Sequence, residues 1–204
     1  EGELRYKLEF GRSGLIEPFV NGAYQKIYKG GHCDPDAPLQ PGVDSDPGLC
    51  DITAYGVGYG TRFEYGPFHL GVTGFLGDGL GLNRALEVST ASTDQSGHVR
   101  SFDGYYGQSQ VVVGHFDLFA GAGIVRVFLT DFDKSQRIDD PFIVGVTVPR
   151  YSLIKNQIGM NAGVVYHWTD AVHFAIDYFR AELNWQLGEQ QIIHALNGGM
   201  TVTW

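Results

Sequence analysis

Positive charge is scarce in this chain. Lys and Arg total 14 against 23 Asp and Glu, for a net charge of −9. No basic arm or run offsets that balance, which argues against a nucleic-acid partner. No stretch of 18 apolar residues occurs, so a membrane-spanning helix is excluded. No signal peptide is visible, and Glu1 is compatible with a mature N-terminus left by cleavage. Cysteine is limited to Cys33 and Cys50, both in one polar segment. Their spacing suggests a disulfide, hence an oxidising compartment, with two free thiols as the alternative. Such a bridge would restrain its loop by about 3 kcal/mol relative to the open chain. A zinc site there lacks ligands, since only His32 lies nearby. Nothing calls for a cofactor.

What is abundant is glycine, at 29 residues, with 13 Phe and 11 Tyr. That mixture suggests a β protein. The dominant period is two. In "TAYGVGYGTRFEY", Thr53, Tyr55, Val57, Tyr59, Thr61, Phe63 and Tyr65 alternate with Ala54, Gly56, Gly58, Gly60, Arg62 and Glu64. One face is large and apolar, the other small or charged. The same alternation runs through 3–10, 68–74, 105–113, 116–124, 154–168, 172–179 and 192–204, which predicts about eight strands. Short turns are expected at Gly66-Pro67, Gly114-His115 and Thr169-Asp170-Ala171. Long polar connections are expected at 11–52, 77–101 and 130–151, with a shorter one at 182–190. Short turns at one end and long loops at the other describe an antiparallel up-and-down meander, a single domain over 1–204.

The two faces decide the environment. A soluble lipocalin-like barrel would pack Tyr55, Tyr59, Phe63 and Tyr65 of one strand into a narrow lumen and expose bare glycine backbone. A membrane barrel turns the same residues to lipid. Tyr65, Phe68, Phe116, Trp168 and Trp204 then gather near the short turns as an aromatic girdle. The inner face would carry Glu3, Arg5, Lys7, Glu9, Arg62, Glu64, Asp117, His173 and Asp177 as a lumen charge network, paired or hydrated because an isolated buried charge is costly.

With "LFAGAGI" at Leu118–Ile124 and a last strand of alternating apolar residues ending in an aromatic, the chain resembles the small OmpA/OmpX-type outer-membrane β-barrels of Gram-negative bacteria. The resemblance lies in pattern and topology. It implies a closed eight-stranded transmembrane barrel in the outer membrane, with both termini and the short turns periplasmic. It also implies contact with outer-membrane lipid and lipopolysaccharide, and assembly by the barrel-insertion machinery. Met200, Val202 and Trp204 would form the C-terminal assembly signal, in a last strand paired with the first near Leu4 to Phe10. The family's signal more often ends in Phe.

Candidate chemistry is thin. His173 and Asp177 share a face but sit about 13 Å apart along a strand, so they cannot act as a contacting pair. The expectation is therefore not an enzyme, with a lipid hydrolase or acyltransferase as the minor alternative. In the first loop, Asp34, Asp36, Asp44 and Asp46 offer oxygen ligands for Ca²⁺ but match no EF-hand spacing. The expected role is a scaffold that presents acidic extracellular loops to a protein partner. A narrow porin-like channel for ions or small solutes is the alternative.

Overall fold

A computed structural model describes residues 2–27, 52–79, 94, 98–135, 137–139, 147–149 and 154–203. In chain order the strands are β1 (Gly2–Arg5), β2 (Leu8–Phe10), β3 (Gly14–Ile27), β4 (Ile52–Tyr65), β5 (Phe68–Asp78), β6 (Ser101–Val113) and β7 (Phe116–Phe128). Helix α1 (Asp131–Ser135) follows, then β8 (Arg137–Asp139), β9 (Thr147–Pro149), β10 (Ile154–His167), β11 (Val172–Trp185) and β12 (Gln190–Val202). β8 and β9 form a separate small hairpin, and every other strand joins one antiparallel sheet. Its order is β1-β3-β4-β5-β6-β7-β10-β11-β12, with β2 also on β3. Sequence neighbours are spatial neighbours, which is the expected meander.

The strand count departs from eight. β1 and β2 lie in one register against β3, from Gly2↔Gly22 to Phe10↔Gly14. They are one long strand interrupted opposite Pro18. The Tyr6 N–H donates to the Pro18 carbonyl at 3.0 Å, but proline has no N–H to return the bond. Among the described residues the sheet therefore has nine long strands. The additional one is β3, which falls inside the segment read from sequence as a loop. Pro18 in its middle reads as a strand breaker, and Leu15 and Phe19 put large apolar residues on the face that in β4 is small or charged.

An odd number has a geometric consequence. The first and last strands run in the same direction, so their outer ends lie at opposite ends of the sheet. The expectation that both termini lie on one side is thereby corrected. Among the described residues the first and last strands do not pair, so the sheet has two free edges and is not a closed barrel. Trp204 and its proposed role lie outside the described residues, as do Cys33, Cys50 and the loop aspartates Asp34, Asp36, Asp44 and Asp46.

Register fixes which residues share a face. Tyr65, Phe68, Val111, Leu118, Val164 and Ile176 stand in one row of direct partners, on the apolar face. That face is the exposed one. Of the large apolar side chains that are exposed, all but Phe75, Tyr106, Leu187 and Ile193 lie on it. A lipocalin-like arrangement would require the reverse. The buried side chains of the sheet include Ala54, Phe102, Val127 and Ala181, all on the opposite, inner face. Inner-face rings lie against glycines of the neighbouring strand. A Cβ at Gly163 would come within 2.6 Å of Phe119 Cζ, and one at Gly60 within 2.7 Å of Phe19. The glycines make room for rings lying along the wall.

Hairpin chemistry sets the short-turn end. Gly66 and Gly114 take φ of 58° and 61° as first residues of two-residue loops. That is the backbone of the turn whose twist matches the flanking strands. On β7 the outward run Phe116, Leu118, Ala120, Ala122 and Ile124 spans nine residues, the length of a tilted strand crossing a bilayer core, roughly 9–11 residues. Beyond it the outer face turns polar, with Arg126 Nε donating to Asp103 at 2.7 Å.

Candidate functional site

The inner face is where the polar side chains converge, in the half of the sheet nearest the short turns. On β4 and β5, Arg62 and His69 flank Glu64, with His69 Nδ1 at 3.3 Å from its carboxylate. With Gln108 and Gln110 of β6 they line a cavity of about 210 Å³. Gln110 stands directly opposite His69 in the register. Its Nε2 donates to Asp117 Oδ2 at 3.1 Å. Asp117 in turn lies 3.0 Å from His167 Nε2, and His167 Nδ1 lies 2.7 Å from His173 Nδ1. A polar belt thus crosses six adjacent strands from β4 to β11. Deeper along the wall, the Tyr106 hydroxyl donates to Gln108 or Asn161, at 3.1 and 3.2 Å. Asn197 donates to Asp177 at 2.9 Å.

At the β1–β2 edge the charges are wetter. Arg5 bonds Glu3 and Glu17, both at 2.8 Å, and Lys7 bonds Glu9 at 2.6 Å. Apart from Glu17 these side chains are largely exposed, so the Arg5–Glu3 and Lys7–Glu9 pairs contribute little to stability. The nine candidate lumen charges therefore fall on one face but in separate groups: Glu3 with Arg5, Lys7 with Glu9, Arg62 with Glu64, Asp117 with His173 through His167, and Asp177 with Asn197. His173 and Asp177 bond to different partners, as the spacing requires. Glu17, His69, His167 and Asn197 are partners that the sequence reading left out. Parity alone places His69 and His167 on the inner face. Glu17 was hidden because its strand was.

The girdle residues sit at the short-turn end of the outer face. Tyr65 stacks on Phe10 at 6.3 Å, Phe68 meets Phe63 at 6.4 Å, Phe116 meets Tyr166 at 5.0 Å and Trp168 meets Phe174 at 6.1 Å. Met200 and Val202 are exposed on that face of β12.

A second polar cluster closes the long-loop end. Arg100 forms a two-pronged pair with Asp133, both contacts at 2.7 Å and both side chains buried. Thr130 caps α1 reciprocally: its hydroxyl accepts from the Asp133 N–H, and its own N–H donates to the Asp133 carboxylate, each at 3.1 Å. The Thr130 hydroxyl also donates to Asp94 at 2.5 Å. Burial pushes the Asp133 carboxyl up, but Arg100 and the Thr130 N–H outweigh it and hold the group below the usual range. The segment before β6 and the one after β7 are thereby tied together.

No family model matches the chain, and no curated protein does. Among solved structures it is similar to the outer-membrane channel DcaP of Acinetobacter baumannii, with a TM-score of 0.59 at 12% sequence identity. The match covers 97% of this chain and 60% of that one. The chain spans about 60% of the length of that channel. The fold is accordingly an antiparallel, up-and-down sheet like that of the channel's wall. The narrower OmpA/OmpX-type assignment with eight strands does not agree with the nine long strands.

Among the described residues, no group of three or more His, Cys, Asp or Glu is arranged to hold a metal ion. No described helix is long and apolar enough to cross a membrane, which says nothing of strands.

Proposed function

We propose that the chain forms part of the wall of a porin-like channel for ions or small polar solutes in a Gram-negative outer membrane. The observation that carries this reading is the sorting of the two faces. Large apolar residues point out along a bilayer-length band, and a polar belt crosses the other face of the same strands. The resemblance in fold to an outer-membrane channel supports it. Short turns would then face the periplasm and long loops the outside, with outer-membrane lipid and lipopolysaccharide against the apolar face and the insertion machinery as the assembly partner. The first and last strands run in the same direction, so completing the ring with antiparallel pairs requires an odd number of further strands.

The described inner face carries Glu3, Glu9, Glu17, Glu64, Asp117 and Asp177 against Arg5, Lys7 and Arg62. Carboxylates outnumber permanent cations, which favours cations in the path. Reconstitution of the complete channel, this chain with the strands that close its ring, in planar bilayers tests the reading. Unitary conductance steps are expected, with a reversal potential displaced toward the cation in a KCl gradient. Absence of unitary conductance would overturn the channel and leave the scaffold that presents acidic loops. Anion preference would overturn the selectivity.

A further inference from the structure

We propose that His167 and His173 form a binding site for a tetragonal divalent transition-metal ion, Cu²⁺ above all, on the inner face beside the β10–β11 turn. The two histidines are direct cross-strand partners. Their Nδ1 atoms lie 2.7 Å apart, with rings 4.6 Å between centroids and inclined at 76°. A contact that close needs one proton between two nitrogens, so one ring donates and the other accepts. The Asp117 carboxylate, 3.0 Å from His167 Nε2, accepts that nitrogen's proton-bearing edge. It thereby favours the tautomer in which His167 Nδ1 carries the lone pair. A carboxylate behind a ligating imidazole is the outer-shell arrangement that orients the ring and raises its basicity. Gln110 holds that carboxylate in turn.

A metal ion would replace the shared proton. Two imidazole nitrogens in adjacent positions of a square-planar or tetragonal ion, at 2.0–2.1 Å bond lengths, lie about 2.9 Å apart. That is close to the separation already present. A tetrahedral Zn²⁺ would spread them to about 3.3 Å. Binding requires each ring to turn until both lone pairs aim at one point beside the line joining the nitrogens, and His173 to carry its proton on Nε2 in place of Nδ1. Water fills the remaining positions.

The backbone around the pair is fixed. The Trp168 N–H donates to the Val172 carbonyl at 3.1 Å, and the Thr169 hydroxyl accepts from the Ala171 and Val172 N–H groups at 3.2 and 3.0 Å. The His167 N–H donates to the His115 carbonyl at 2.8 Å, tying the site to the preceding hairpin. A pair held this way loses little freedom on binding.

The test is titration of the detergent-folded full chain with Cu²⁺ alone at neutral pH, followed by calorimetry and electron paramagnetic resonance. One equivalent is expected to show coupling to two nitrogens, with Zn²⁺ bound more weakly. His167→Gln and His173→Gln should each weaken binding tenfold or more and leave coupling to at most one nitrogen. Asp117→Asn should weaken it roughly tenfold while keeping two. His194→Gln, on the outer face, should change nothing. Lack of the two-nitrogen spectrum in the unmodified chain would overturn the site, whether or not the variants fold. So would its persistence in both histidine variants.

Discussion

At the scale of single residues, the buried Arg100–Asp133 pair is the contact with the most at stake. Both side chains are shielded from water, so removing one leaves the other's charge without this compensation. Asp133→Ala is expected to loosen the long-loop end by about 3 kcal/mol, seen as faster amide exchange at Thr130 and α1 with little change in β10 to β12. Acid should act on the same contact. The Asp133 carboxyl is held below its ordinary range, so its contribution is complete above the unfolded value of about 3.9 and is lost as pH falls through the lower folded value. Exchange at Thr130 should therefore rise only in that acidic window. A rise near neutral pH would assign the effect to another group. Neither member of this pair stood out in the sequence, because Arg100 and Asp133 are distant along the chain and meet only through loop folding. The inner-face charges were legible, since parity along a strand fixes the face a residue occupies. Their partners were not, since pairing depends on the register between strands.

At the scale of elements, sequence reading found strands where alternation was clean and lost the one where it was not. β4, with glycine on one side and rings on the other, is unmistakable. β3 carries Pro18, Glu17 and Phe19 in succession, and its pattern fits no single template. Proline is tolerated there because its missing donor faces the interrupted strand, leaving the β4 side of the ladder intact. Glycine on the inner face has a packing role that composition alone does not reveal. Gly163→Leu is expected to destabilise the β10–β11 hairpin by about 1–3 kcal/mol, because its Cβ would press on the Phe119 ring and on the Ile176 carbonyl. The same change paired with Phe119→Ala should recover only part of that loss, since backbone remains in the way. Denaturant unfolding in detergent would measure both. Equal stability of Gly163→Leu and the parent chain would contradict the packing.

At the scale of the whole molecule, the sheet has two surfaces with opposite chemistry and, among the described residues, two edges without partners. β12 shows the second property most plainly: almost every residue along it is exposed, and Leu196 is 76% exposed. Unpaired strand edges are costly in lipid, where no water can satisfy them. In the proposed channel, ring closure by further antiparallel strands would remove that cost. The channel reading and the environment of the wall rest on the same claim, that the apolar face meets lipid and the polar face meets water. Spin labels placed singly at each position from Phe116 to Ile124, in a Cys33→Ser/Cys50→Ser background reconstituted in lipid, test that claim directly. Accessibility to oxygen should peak at Phe116, Leu118, Ala120, Ala122 and Ile124, and accessibility to a water-soluble nickel chelate at Asp117, Phe119, Gly121 and Gly123. The opposite phase, or no period of two, would contradict it.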